Sequence, residues 1–344
     1  MKQPIRRLLY LLLTAALFSS FPAFAQSTQT DWHSAITTAA ADVQRTVPNP
    51  QVGSVGGEWA VIGLACSGVK MDQAWSDTYL QNLTQTVTQQ KGVLSTRQYT
   101  EYARVILALT AVGKAPRDVG GYDLLAPLED FEQTTSQGIN GAVFALIALD
   151  SGDYDAPSGL RDRYLQMILS AQLSDGGWSL SGGQADPDIT AMALQALAPY
   201  GNDSTAVQEA ISQGLARLDT LQKAGSFSTL ESYSQTIIAL CALGIQPEQS
   251  LLEKFLSFQR TDGSFSHTKG GPSNQMASEQ GLCALAALAR QEAGASSLYD
   301  TAGTKTSQSS VQAAAVIPGL AALIPAVLGV SPFLGGSALL GSGH

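Results

Sequence analysis

The sequence predicts an all-α protein built as an α6/α6 toroid, two concentric rings of helices, with an N-terminal signal peptide and an apolar C-terminal tail. Two observations predict it. First, a Gly/Ala-rich apolar segment recurs six times: WAVIGLACSG from Trp59, TEYARVILALTAVG from Thr100, QGINGAVFALIALDSG from Gln137, DITAMALQALAPYG from Asp188, ESYSQTIIALCALG from Glu231 and NQMASEQGLCALAALA from Asn274. The period, roughly forty residues, is that of helical repeats, where each unit buries its apolar face against its neighbours. Second, more polar helical patterns alternate with these segments at 31–47, 76–90, 124–134, 160–172, 206–222 and 247–259. In the fourth of them Tyr164, Leu165, Ile168 and Leu169 recur at three and four. A helix apolar nearly all round is buried, whereas one with a single apolar stripe lies outside. An open superhelical solenoid is the rival arrangement. Six pairs, with no polar capping repeat at either end, favour closure.

Taken in chain order, residues 1–25 read as a secretory signal. Lys2, Arg6 and Arg7 precede the apolar LLYLLLTAALF, and Ala23-Phe24-Ala25 forms an A-x-A cleavage site before Gln26. A Sec-type signal fits better than a twin-arginine one, and it implies a secreted or cell-surface protein. Residues 26–300 hold the repeats as one domain. The net charge of −9 comes with no basic run or stripe, which argues against nucleic acid as a partner. Residues 301–344 form a polar linker and an uncharged stretch, 313–341, long enough to span a bilayer but interrupted by Pro318, Pro325 and Pro332. It reads as a membrane anchor, the end of a longer protein, or a segment packed on the toroid; the anchor is preferred. Cys66, Cys241 and Cys283 all lie in Ala/Leu-rich inner segments without any C-x-x-C or Cys/His cluster. They read as small buried hydrophobes.

Four outer segments end in Gln, a glycine turn and a bulky apolar residue: QQKGVL to Leu94, QLSDGGW to Trp178, LQKAGSF to Phe227 and FQRTDGSF to Phe265. Glycine after a helix supplies the left-handed backbone of its C-terminus. The aromatic is predicted to pack on the neighbouring repeat, and Gln to reach a backbone group. Trp178 therefore reads as a staple between repeats ahead of a ligand platform.

Gln172-Leu173-Ser174-Asp175-Gly176-Gly177-Trp178 resembles the QW motif of the terpenoid cyclase and protein prenyltransferase superfamily. The ADPDITAMALQAL that follows is similar too, and the resemblance runs from about Trp59 to Asp300. It implies the α/α toroid. The class II cyclases it resembles protonate an alkene with the middle Asp of D-x-D-D-T. Asp186 and Asp188 align with that motif, Asp188 in the acid's place, but Ile189 replaces the last Asp. Asp186 and Pro187 also suit a helix N-cap and first position, and Asp188 suits the positive end of the dipole. The zinc site of the prenyltransferases has no matching Cys near His267, and the thioester Cys-x-x-Gln is missing. The small β domain of the cobalamin carriers is not legible either. No metal and no cofactor is expected.

Consecutive inner helices run parallel in such a ring, so their starts share one mouth. The residues there include Glu58, Trp59, Glu101, Tyr102, Arg104, Asn140, Met192, Glu231, Tyr233, Gln235, Gln275, Glu279 and Gln280. Convergent carboxylates, amides and aromatics around an apolar well describe a ligand pocket. Acids at helix starts also stabilise the dipole, by about 0.3–1 kcal/mol each. The expected function is binding of a small amphipathic or apolar ligand, an isoprenoid, corrinoid or similar molecule, without catalysis. One alternative is a terpene cyclase or mutase with Asp188 as general acid. Another is a surface protein-interaction module working through loops such as 263–273. Ile189 and export both weigh against the cyclase.

Overall fold

Ala, Gly and Leu give helices that approach one another closely and leave few polar groups to satisfy. The six apolar segments accordingly fold as helices buried almost all round. The computed structural model describes residues 31–295 and 297–301, and the described residues are all-helical, with three isolated β-bridges. The expected signal peptide and the apolar tail lie outside the described residues.

In chain order the helices are α1 (His33–Thr46), α2 (Trp59–Cys66), α3 (Gln73–Gln89), α4 (Thr100–Ala111), α5 (Phe131–Thr135) and α6 (Ile139–Ser151). They continue with α7 (Leu160–Ser170), α8 (Pro187–Leu197), α9 (Thr205–Lys223), α10 (Leu230–Ala242), α11 (Gln249–Leu256) and α12 (Gln275–Glu292). The even-numbered helices are the Ala/Gly-rich ones. In α6 every residue but Asn140 is buried, and in α12 burial is continuous from Ala277 to Leu288. Each packs on the next: α2 on α4, α4 on α6, α6 on α8, α8 on α10 and α10 on α12, while α12 packs back on α2. Gly63 of α2 makes that last contact close, because a Cβ there would come within 3.0 Å of Leu282.

The odd-numbered helices bury one stripe. On α3 it is Trp75, Tyr79, Leu83 and Val87, at a spacing of four. On α9 it is Val207, Ala210, Ile211, Gly214, Leu215, Leu218 and Leu221. Each fully buried Leu or Ile contributes about 1.5–3 kcal/mol, so the stripe suffices to seat an otherwise polar helix. All three cysteines are buried and free, as their Ala/Leu-rich surroundings predict, and burial pushes the Cys66 thiol up to about 11.

Two expected outer helices come out shorter. The pattern at 124–134 folds as a 3-10 turn, Ala126–Glu129, followed by the five residues of α5. Asp130 breaks it: its backbone is extended, and its Oδ1 accepts the Gln133 N–H at 3.1 Å as a new N-cap. The pattern at 247–259 stops at Leu256, because Phe258 and Gln259 leave the helix to pair with the strand-like residues Phe265 and Ser266.

Candidate functional site

Of the four turns expected to act as staples, those after α7 and α11 carry the glutamine bonds to backbone carbonyls, whereas the Gln90 and Gln222 side chains make no such bond among the described residues. Gln172 Nε2 donates to Gly176 O at 2.8 Å and to Ala210 O of α9 at 2.9 Å. Trp178 is fully buried; its Nε1 donates to Ile168 O at 2.7 Å and its N–H to Thr190 Oγ1 at 2.9 Å. Gly176 sits at φ +89°, so close to α9 that a Cβ would fall 2.8 Å from Gln213 O. The turn after α11 repeats this with other residues. Gln259 Nε2 donates to Ala35 O of α1 at 3.0 Å, Phe265 is fully buried, and Phe265 N–H donates to Ser278 Oγ at 2.9 Å. Gly263, also at φ +89°, leaves only 2.4 Å between an added Cβ and Thr38 O. Trp178 is thus a packing residue with no face left for a ligand.

At the start of α8, Asp186 is the N-cap and Pro187 the first helical residue. Asp186 Oδ1 accepts the N–H groups of Asp188 at 2.9 Å and Ile189 at 3.0 Å. Asp188 points elsewhere. The Ser232 hydroxyl of α10 lies near its carboxylate, while Oδ1 is buried without a partner. Burial first, and the nearby Asp186 and Glu231 charges second, push its carboxyl up to about 6 against the pull of Ser232 and His267. Glu231 Oε2 lies 2.8 Å from His267 Nδ1, within hydrogen-bond distance. Asp186, Asp188, Ser232, Glu231 and His267 therefore form one cluster spanning α8, α10 and the turn before α12.

A second cluster lies where α12 meets α2. Both its carboxylates are buried, Glu58 at 1 % and Glu279 at 0 % exposure. They grip one glycine-rich turn, Ser54–Glu58, whose Gly56 is left-handed at φ +73°. Gly53 N–H donates to Glu58 Oε1 at 3.0 Å and Oε2 at 3.2 Å, and Tyr79 OH donates to Oε1 at 3.2 Å. Glu279 Oε1 accepts Gly56 N–H and Gln275 Nε2, each at 2.8 Å, while its Oε2 has no partner. Desolvation dominates and pushes both carboxyls up to about 7. Arg104 of α4 faces this pair, its Nε 3.7 Å from Glu58 Oε2.

Between the clusters runs a ladder of buried amides. Gln195 Nε2 of α8 donates to Gln235 Oε1 of α10 at 2.9 Å, and Gln235 Nε2 donates to Gln280 Oε1 of α12 at 2.7 Å. Gln195 Oε1, Ser234 Oγ and Asn140 Oδ1 are buried with no partner. Trp59 of α2 meets Phe144 of α6 with ring centroids 6.0 Å apart, although α4 lies between those helices in the packing order.

Of the residues that sequence singles out, Glu58, Gln275 and Glu279 thus share one cluster and Asp186, Asp188 and Glu231 the other. Trp59, Asn140 and Met192 lie on inner helices near the same starts, Asn140 and Met192 half-buried. Glu101 is half-buried in the first turn of α4. Two tyrosines turn outward instead. Tyr102 OH accepts Leu94 N–H at 3.0 Å and donates to Ser95 O at 3.3 Å; Tyr233 packs edge-on to Phe227 at 5.3 Å and against Phe258 at 5.5 Å. Sequence reasoning passed over Gln195, Ser232 and Ser234. Gln195 carried a signal, being one amide in an apolar run two turns after Asp188 and so on the same face. Among the described residues no group of three or more His, Cys, Asp or Glu is arranged to hold a metal ion. Comparison of the chain with family models, with curated proteins and with solved structures returns no match.

Proposed function

We propose that this is an exported α/α toroid that binds an amphipathic or apolar ligand against its inner wall, without chemistry. The toroid is supported by the unbroken circuit of inner-helix neighbours. It is supported as well by the Gln259–Phe265 turn, which fastens α11 to α1 with the same bonds that fasten α7 to α9. That repeated Gln-Gly-aromatic turn is also what favours kinship with the terpenoid cyclase and prenyltransferase superfamily. The signal-like residues 1–25 favour export.

One observation carries ligand binding. Six polar atoms on inner helices, from Arg104, Asn140, Asp188, Gln195, Ser234 and Glu279, are buried without a protein partner. Each such atom costs about 1–3 kcal/mol when left unmade, and native proteins keep few of them without a reason. Their concentration on the inner helices fits a wall whose remaining hydrogen bonds go to a ligand.

A second reading, a cyclase using Asp188, is favoured by the carboxyl held protonated to about pH 6. The same value argues against it. A raised pKa makes a weaker acid, and alkene protonation demands a stronger one. Native mass spectrometry of the protein, before and after adding isoprenoids and corrinoids, tests both readings. A retained stoichiometric ligand is the expected result. A new product mass that Asp188→Asn abolishes would replace it with the cyclase, and a clean apo mass throughout would leave the surface-interaction reading.

A further inference from the structure

Arg104 stands apart from the other partly buried arginines, Arg161 and Arg217. Its side chain is only 15 % exposed, and its guanidinium makes no hydrogen bond to any described residue. The closest opposite charge, Glu58 Oε2, is 3.7 Å away, and both Glu58 oxygens already accept from Gly53 N–H, with Tyr79 OH on one of them. The other carboxylate of the cluster, Glu279, uses Oε1 for Gly56 and Gln275. By contrast Arg161 bonds Asp150 Oδ1 at 2.8 Å and two backbone carbonyls, and Arg217 lies 3.0 Å from Asp175. A guanidinium offers five N–H donors in a planar fork that matches a carboxylate or phosphate, and it stays charged at any physiological pH. A cation so enclosed, with its donors unspent, is costly unless an anion meets it.

Apolar groups come from the helices on either side of α4. α4 packs between α2 and α6, which bring Trp59 and Phe144 together as an apolar wall. Asn140, on the first turn of α6, adds a half-buried amide. We propose that Arg104 anchors the anionic group, a carboxylate or a phosphate, of an amphipathic ligand whose apolar part lies against Trp59 and Phe144. This rests on the inner wall being a ligand site.

The test is a calorimetric titration of the protein with octanoate, octyl phosphate and octanol, each below its aggregation threshold, for wild type, Arg104→Gln and Arg104→Lys. Wild type is expected to bind at least one anion about ten-fold or more tighter than octanol. Arg104→Gln should lose that preference while keeping octanol binding, and Arg104→Lys should keep part of it. Retained octanol binding certifies that the glutamine variant is folded. The ranking of octanoate against octyl phosphate separates a carboxylate ligand from a phosphate one. Octanol binding as tightly as both anions, or an anion preference that survives Arg104→Gln, overturns the anchor and leaves the inner-wall site standing. No binding by any of the three overturns both.

Discussion

The turns after α7 and α11 and the even-numbered helices treat their polar groups differently. In the turns after α7 and α11, every glutamine N–H and the buried indole of Trp178 end on a carbonyl, and the following amide ends on a Thr or Ser hydroxyl. On the inner helices, fully buried Glu279 and Ser234 and nearly buried Gln195 each keep an atom unpaired. Burial is complete in both places, at Trp178 and Phe265 in the turns and at Glu279 and Ser234 on the helices. The difference teaches that unpaired atoms here do not follow from poor packing. The turn after α7 keeps one such atom, Ser179 Oγ, and α9 beside it keeps Arg217 Nε, whereas the even-numbered helices keep six.

The largest expected effect breaks the satisfied side of that comparison. Trp178→Ala empties a fully buried site and strands Ile168 O, so it should cost about 3–5 kcal/mol in chemical denaturation. Phe265→Ala at the other seam should cost a similar amount. A loss below about 1 kcal/mol at Phe265 alone would mean that the α11–α1 seam is ornamental and the ring effectively open.

The inner wall predicts a pH signature of the next size. Glu58 and Glu279 have folded pKa values of about 7, above the ordinary 4.5. Between these values the folded state holds more protons than the unfolded one, so stability is full below about pH 4.5 and falls as pH rises through 7. The loss should be on the order of 3 kcal/mol for each group. Glu279→Gln, which keeps an acceptor for Gly56 and carries no charge, should flatten the profile measured by melting temperature. An unchanged slope in that variant would show that the pair is ionised in the fold and already compensated.

A smaller effect compares the two glutamines directly. Gln172→Ala and Gln259→Ala each remove two or more bonds to carbonyls, and each should cost about 1–2 kcal/mol. Equal losses would make the seam between last and first repeats an ordinary one. A clearly smaller loss for Gln259 would favour the solenoid.

How much of this was legible follows from what sets each feature. Inner helices were readable to within a few residues because a buried helix needs an unbroken run of small apolar residues, and the run in ESYSQTIIALCALG has few other fates. The staples were readable because a Gln, a Gly and an aromatic must sit in fixed order at a helix end. The break at Asp130 was not, since Leu124 and Leu125, both fully buried, continue an apolar pattern that local propensity accepts. Site residues divided the same way. Asp186 could be placed as a cap from Pro187 alone, but Tyr102 and Tyr233 turned outward: the Tyr102 hydroxyl takes Leu94 N–H eight residues back, and the Tyr233 ring packs between Phe227 and the sequence-distant Phe258. The Glu58–Glu279 pair joins residues from opposite ends of the domain, and no local pattern could have paired them.

The smallest effect separates the two aspartates that the sequence put side by side. Asp186 spends Oδ1 on two backbone N–H groups of α8. Its replacement by Ala should cost about 1 kcal/mol, as for other N-caps. Asp188 makes no backbone bond; its Oδ1 is unpartnered and its carboxyl titrates near 6, above the ordinary 3.8. The folded state therefore resists ionising it, and stability from this group declines as pH rises from about 3.8 through 6. At pH 8, Asp188→Asn should leave stability unchanged or raise it. Thermal melts of both variants at pH 8 and pH 4 decide the matter. If Asp188→Asn proves as costly as Asp186→Ala, the carboxylate is a structural member of the α8–α10 contact. If it is neutral, the residue is maintained for what approaches the wall.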